Sequence, residues 1–330
     1  MNLLLLGFSF PEPHGKDKVV WPLPPDSPKI SYIMSIESPK DVGVKKSIFK
    51  RFLEFFTGTE PEPRIIRPTG VVSDGNGTVY VTDTGVQVVH VFNFKNSKYR
   101  QVFKVDNEPA PGRLLSPVGV VLDSDNNLYV SDSILKKVFV FDKNGKSLYS
   151  IGEKGEFGRP VGLGLDTSRN KLYIADALNH KIWIYDLKGK DLSSFGKRGN
   201  GHGEFNFPSH IAVDPKGDIY VTDSLNFRIQ IFNPEGTFIN SIGKLGNTLG
   251  TFSRPKGIGV DREAHIYIVD NLYDTIQIFN STGELLLNFG THSSGKGGFW
   301  LPSGLSVDKD DYIFVADTYN ERVQVFKYLH

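Results

Sequence analysis

Apolar residues in this chain come in short runs, and the clearest set lies between Phe207 and Lys244. Four runs, His210–Val213, Asp218–Thr222, Arg228–Phe232 and Thr237–Ile242, are each bounded by Pro, Gly, Asn or Asp, the residues that end strands and form tight turns. Ile219-Tyr220-Val221 and Ile229-Gln230-Ile231 alternate as half-buried strands do, and nothing between them sustains a helical period. The pattern predicts a four-stranded antiparallel meander. Such a unit is too small to bury both of its faces, so it requires neighbours stacked on either side.

The neighbours are present as degenerate copies. First-strand prolines fall at Pro68, Pro117, Pro160, Pro208, Pro255 and Pro302, in steps of 49, 43, 48, 47 and 47 residues. Second-strand aspartates at Asp83, Asp132, Asp176, Asp223, Asp270 and Asp317 keep the same beat, with steps of 49, 44, 47, 47 and 47. A period of this length made of short strands indicates a β-propeller rather than a helical solenoid. The sixth copy has only three strands, because just Lys327 to His330 follow Val323-Gln-Val-Phe326. The strand-like Ile30–Ile36 supplies the fourth, joining both ends of the chain in one blade and removing an open edge. The expected fold is therefore all-β, a six-bladed β-propeller of four-stranded antiparallel blades whose last blade is closed by an N-terminal strand.

Two segments depart from the strand pattern. Val44–Phe56 places Val44, Ile48, Phe49, Phe52, Leu53, Phe55 and Phe56 on one side of a helical wheel, with Lys46, Lys50, Arg51 and Glu54 opposite. It predicts one short amphipathic helix, packed across an end of the propeller or, being basic, lying on a membrane surface. Pro11, Pro13, Pro22, Pro24, Pro25 and Pro28, with Trp21 among them, predict an extended arm over residues 1–28, so the propeller occupies 29–330. The 38 Lys and Arg balance 37 Asp and Glu, so no global field gathers nucleic acid. The chain has no cysteine, which removes disulfides, thiolate metal sites and Cys nucleophiles.

Across the copies the chain reads Pro-x-Gly-[Ile/Val], then [Ile/Leu]-Tyr-[Val/Ile]-x-Asp, then Asn-x-[Arg/Lys]-[Ile/Val], as in Asn179-His180-Lys181-Ile182, Asn226-Phe227-Arg228-Ile229 and Asn320-Glu321-Arg322-Val323. This recurrence, over about four-fifths of the chain, resembles the NHL-repeat family. The Pro-rich arm, closing strand and helix are similar to the layout of bacterial NHL propellers carried as secreted proteins or lipoproteins. That likeness implies an extracytoplasmic place, although the lipid-bearing cysteine is missing. NHL-type peptide-amidating lyases place His ligands just after the repeat proline, where this chain has Thr69, Val118, Val161, Ser209, Lys256 and Ser303. The histidines and metal of virginiamycin-type lyases are likewise not assembled, so neither metal nor cofactor is expected.

Candidate contacts then follow from the loops. His210 stands where the other copies carry Gly70, Gly119, Gly162, Gly257 and Gly304, which puts an imidazole at the mouth of the central channel. Asn179, His180, Asn226, Phe227, Arg228, Tyr273, Tyr319 and Arg322 lie on turns gathered at the same end, and Trp300 lies on a longer loop beside them. Tyr, Trp and Arg dominate recognition hot spots. The expected function is non-catalytic binding of a protein or peptide by a monomeric propeller. The alternatives are a lyase or hydrolase working around His210, and single-stranded RNA binding, as the likeness to TRIM-type NHL domains implies, through Lys197, Arg198, Arg228, Lys256 and Arg322. The second-strand aspartates are expected to cap the turns that follow them, with Asp223–Arg228 and Asp317–Arg322 as ion pairs.

Overall fold

The computed structural model describes residues 8–11, 18–44, 62–106, 108 and 112–330. Six antiparallel sheets surround a central channel: blade one at 68–102, two at 117–151, three at 160–195, four at 208–242, five at 255–289 and six at 305–328. In blade four the strands are Pro208–Val213, Ile219–Asp223, Arg228–Phe232 and Phe238–Ile242, within two residues of the runs expected from the sequence pattern. The innermost strand of each blade packs against the innermost strand of the next, and the sixth packs against the first.

Closure follows the expected route. Ile30–Ile36 pairs antiparallel with Arg322–Tyr328, from Ile30 opposite Tyr328 to Ile36 opposite Val323. Blade six carries a further strand, Val20–Trp21, which pairs with Ser31 and Ile30. Part of the arm expected as polyproline is thus sheet, because the outer edge of Ile30–Ile36 offers unpaired backbone groups that Val20 and Trp21 satisfy. Trp21 then rests on Phe289 and Phe326, with ring centroids 5.5 and 5.9 Å away. The helix expected over Val44–Phe56 lies outside the described residues, apart from Val44. Among the described residues, helical structure is limited to single turns at Pro39–Val42, Ser224–Asn226 and Thr318–Asn320.

The apolar core lies between blades rather than within them. Its six clusters among the described residues each straddle one seam, as Tyr173, Ile184, Phe205, Ile219 and Phe232 do between blades three and four. Phe205, Phe252 and Phe299 are fully buried in these seams, each contributing about 1.5–3 kcal/mol of burial. Phe205 lies flat on Gly196, whose φ of +92° and lack of a Cβ both matter, since a Cβ would sit 2.5 Å from the ring. Gly243 under Phe252 and Gly290 under Phe299 repeat the arrangement. Hydroxyls tie the inner strands together: Thr82 donates to the Val118 carbonyl, Ser131 to Val161, Thr222 to Lys256 and, across the closing seam, Thr318 to Pro68.

Candidate functional site

The start of each inner strand and the turn between the second and third strands meet at one end of the channel, and a buried aspartate organises both. Asp83 accepts from the backbone N–H of Ile66 and Arg67 on one side and of Gly85 and Val86 on the other. Asp132 does the same with Leu115, Ser116, Ile134 and Leu135. In blades one, two, three and five the aspartate therefore caps the following turn, as expected, and also pins the segment that leads into the blade. Asp223 and Asp317 pin that segment but reach the turn only through the Asn226 and Asn320 side chains. Their burial is compensated by these donors. The expected ion pairs are present, with Arg228 Nε 2.9 Å from Asp223 and Arg322 Nε 2.8 Å from Asp317.

Several candidate residues are engaged in holding loops in place. Arg228 also donates to the carbonyls of Gly201 and Glu204, and Arg322 to those of Ser294, Gly295 and Gly298. Asn226 bridges Asp223 and the Gly199 carbonyl, and Asn179 bridges Asp176 and the Glu156 carbonyl. His180 is buried; its Nδ1 accepts from the Phe207 N–H and its ring meets Phe207 edge-on. Phe227 is half-buried in the left-handed conformation that ends its turn. Of the RNA patch, Lys197 is paired with Glu204 at 3.2 Å, and Arg228 and Arg322 face inward, so these residues do not form one cationic surface.

The channel holds about 260 Å³ and is walled by aliphatic residues of the inner strands, among them Val120, Leu163, Ile211, Ile258 and Leu305. His210 lines it too, and is the ionisable side chain of that wall among the described residues. At the other positions glycine is required by close approach: a Cβ on Gly119 would stand 2.2 Å from the Val161 carbonyl oxygen, and one on Gly304 2.4 Å from that of Thr69. His210 Nδ1 lies 3.1 Å from Ser209 Oγ, which is 2.7 Å from Ser224 Oγ, and Ser224 donates to the Pro255 carbonyl of blade five. The imidazole surface that remains accessible faces the narrow channel, not bulk water. Burial, followed by the charge of Lys256, pushes its pKa down to about 3. It is neutral at physiological pH and is better matched to hydrogen bonding than to proton abstraction.

Tyr273, Trp300 and Tyr319 are exposed at this end, with Trp300 against Tyr319 at 5.6 Å between centroids. They belong to a larger feature. Two residues after the buried aspartate, blades two to six carry Ile134, Leu178, Leu225, Leu272 and Tyr319, each between 42% and 61% exposed. The turn lies at the end of the second strand in each blade, and these side chains are exposed at its tip. Together they form an apolar collar around the mouth of the channel. Sequence reasoning passed over the four aliphatic members, although their fixed offset from Asp132, Asp176, Asp223 and Asp270 was a readable signal.

Comparison with known proteins bears on the fold. A family model described as a 6-bladed beta-propeller matches residues 112–194, and the NHL-repeat model matches 205–232 and 299–326. No curated protein matches the chain. Among solved structures, a Bacteroides thetaiotaomicron protein of unknown function is 15% identical, with 80% of this chain and 70% of that one covered at a TM-score of 0.62. An auxiliary nutrient binding protein from the same organism is 12% identical over 81% of this chain and 70% of its own, with a TM-score of 0.63. Virginiamycin B lyase from Staphylococcus aureus is 15% identical over 80% and 95%, with a TM-score of 0.57. At such identities the likeness carries the architecture alone. The family models, the matching period and the ring of six sheets agree, and the chain is a six-bladed β-propeller that carries NHL repeats at residues 205–232 and 299–326.

Proposed function

We propose that this protein is a non-catalytic binding platform that recognises a protein or peptide on the end of the propeller encircled by the apolar collar. The observation that carries the reading is the collar itself. Large apolar side chains repeated on five blades, at turn tips that polar residues ordinarily occupy, form a ringed patch of the kind that marks interaction sites. Trp300, Tyr319 and Tyr273 supply the rigid aromatic contacts that dominate binding hot spots.

A displayed peptide library selected on the protein tests this. Selected peptides are expected to lose binding to the folded Leu225→Asp/Leu272→Asp variant and to keep it with Lys309→Glu, a change at the opposite mouth of the channel. Peptides that bind both variants equally would remove the collar from the function.

A further inference from the structure

Inside the collar the surface changes from apolar to cationic. The residue before each inner-strand proline stands at the rim of the channel, and in every second blade it is arginine: Arg67 in blade one, Arg159 in blade three and Arg254 in blade five. Ser116, Phe207 and Leu301 occupy the remaining places. The three arginine backbones are fixed on both sides. Their N–H groups donate to Asp83, Asp176 and Asp270 at 3.0, 2.8 and 3.0 Å. Their carbonyls accept from Thr84, Ala177 and Asn271. Their side chains are exposed. Lys256 lies two residues beyond Arg254, one step deeper toward His210.

Among the described residues, Arg159, Arg254 and Lys256 have no acidic partner and their side chains donate no hydrogen bond within the protein, while Arg67 lies over the Tyr319 ring at 5.7 Å. The carboxylates of this end are already engaged. Asp223 and Asp317 are paired with arginine, Glu204 with Lys197, Asp274 with His292 and Glu321 with Arg64. The exposed rim therefore presents unpaired cationic side chains, while the aspartates Asp83, Asp132, Asp176 and Asp270 lie buried beneath it on backbone N–H donors. Burial, then Arg254 and Arg159, pushes the Lys256 ammonium down to about 8, so the group is charged at neutral pH but uncompensated. An anion in the mouth relieves that cost directly.

We infer that Arg159, Arg254 and Lys256 form a carboxylate-recognition site, and that its occupant is an acidic peptide segment whose apolar residues rest on the collar. This rests on the peptide-binding reading above and specifies its chemistry. Arginine presents paired donors that match a carboxylate, and Lys256 adds a partly desolvated charge beneath them.

The test uses the full chain and two fluorescein-labelled peptides, one alternating Glu and Leu and its Gln and Leu counterpart, read by anisotropy. The Glu peptide is expected to bind the wild type about tenfold or more tightly than the Gln peptide. Lys256→Met and Arg159→Gln/Arg254→Gln are expected to erase that difference, while Lys256→Arg retains it. Equal binding of both peptides overturns the carboxylate site and leaves the collar reading standing. A Glu peptide that loses affinity in the cationic variants but not in Leu225→Asp/Leu272→Asp supports the anion site and removes the collar. No binding of the Glu peptide overturns the inference, and so does free citrate binding as tightly as the peptide by calorimetry.

Discussion

Arg322 offers the sharpest test of how the binding end is held in place. Its guanidinium is nearly buried and makes four hydrogen bonds, to Asp317 at 2.8 Å and to the carbonyls of Ser294, Gly295 and Gly298 at 2.9, 2.8 and 2.9 Å. Arg322→Met keeps most of the stem and removes every donor. It leaves the Asp317 carboxylate, which burial already pushes above the usual range, without its cationic partner and dependent on Trp300, Asn320 and Gln324. Breaking a buried pair from one side costs about 3–5 kcal/mol. Asp317→Asn alone leaves the arginine unpaired, whereas the double variant removes both charges, so the two losses are expected to overlap by about 1–3 kcal/mol. Blade five provides an internal control, because Asp270 faces Thr275 across the strand pair where Asp317 faces Arg322. Asp270→Asn breaks no ion pair and is expected to cost about 1–3 kcal/mol. Urea unfolding followed by near-ultraviolet circular dichroism and by fluorescence gives the four values, coincidence of the two signals checking that one transition is measured. A loss below about 1 kcal/mol for Arg322→Met, or strict additivity in the cycle, would refute the view that this pair fixes the Trp300 loop.

Other parts of the ring make separate predictions. Gly119→Ala drives a methyl against the Val161 carbonyl of the next blade and is expected to cost about 1–3 kcal/mol or more in thermal melting; an unchanged melting temperature would count against close approach of the inner strands. Asp308, at the far mouth, is raised to about 6 by burial. Between the ordinary carboxylate value and about 6 the unfolded chain has released this proton and the folded chain has not, so stability from this group falls as pH rises across that window. Asp308→Asn is expected to stabilise the protein relative to wild type at pH 7 and not at pH 3.5, and an equal effect at both would exclude this origin. Removing the chain through Glu37 uncovers the edge of Arg322–Tyr328, and size-exclusion chromatography is expected to show soluble oligomers or aggregate in place of the wild-type peak.

The fold was legible because two unrelated residue types kept the same interval: Pro68, Pro117, Pro160, Pro208 and Pro255 begin the inner strands, Pro302 lies just ahead of the sixth, and Asp83 to Asp317 end the second ones. The candidate site was legible only in part. Arg228 and Asn226 sit in a turn and carry polar atoms, and sequence alone does not distinguish a group that faces solvent from one that folds back. The structure shows Arg228 directly across the strand pair from Asp223, a register that accounts for its inward course. Leu178, Leu225 and Leu272 were missed for the opposite reason, since a single leucine in a polar turn stands out only through its constant offset of two from the periodic aspartates. Arg159 and Arg254 are similar. Each precedes a proline whose position was known, yet their shared place on the channel rim follows only once the blades are set in a ring.

That closure also sets an order of events. Ile30–Ile36 leaves the ribosome long before Arg322–Tyr328, so a strand made early must wait for a partner made last. Pairing residues from opposite ends of the chain raises contact order, which slows the final step of folding. The same geometry acts in reverse once the ring is shut. Neither end can peel away singly without breaking the sheet that holds the other, so fraying at the termini, where most chains begin to open, is suppressed. The blade that is finished last becomes the one that resists unfolding from both ends.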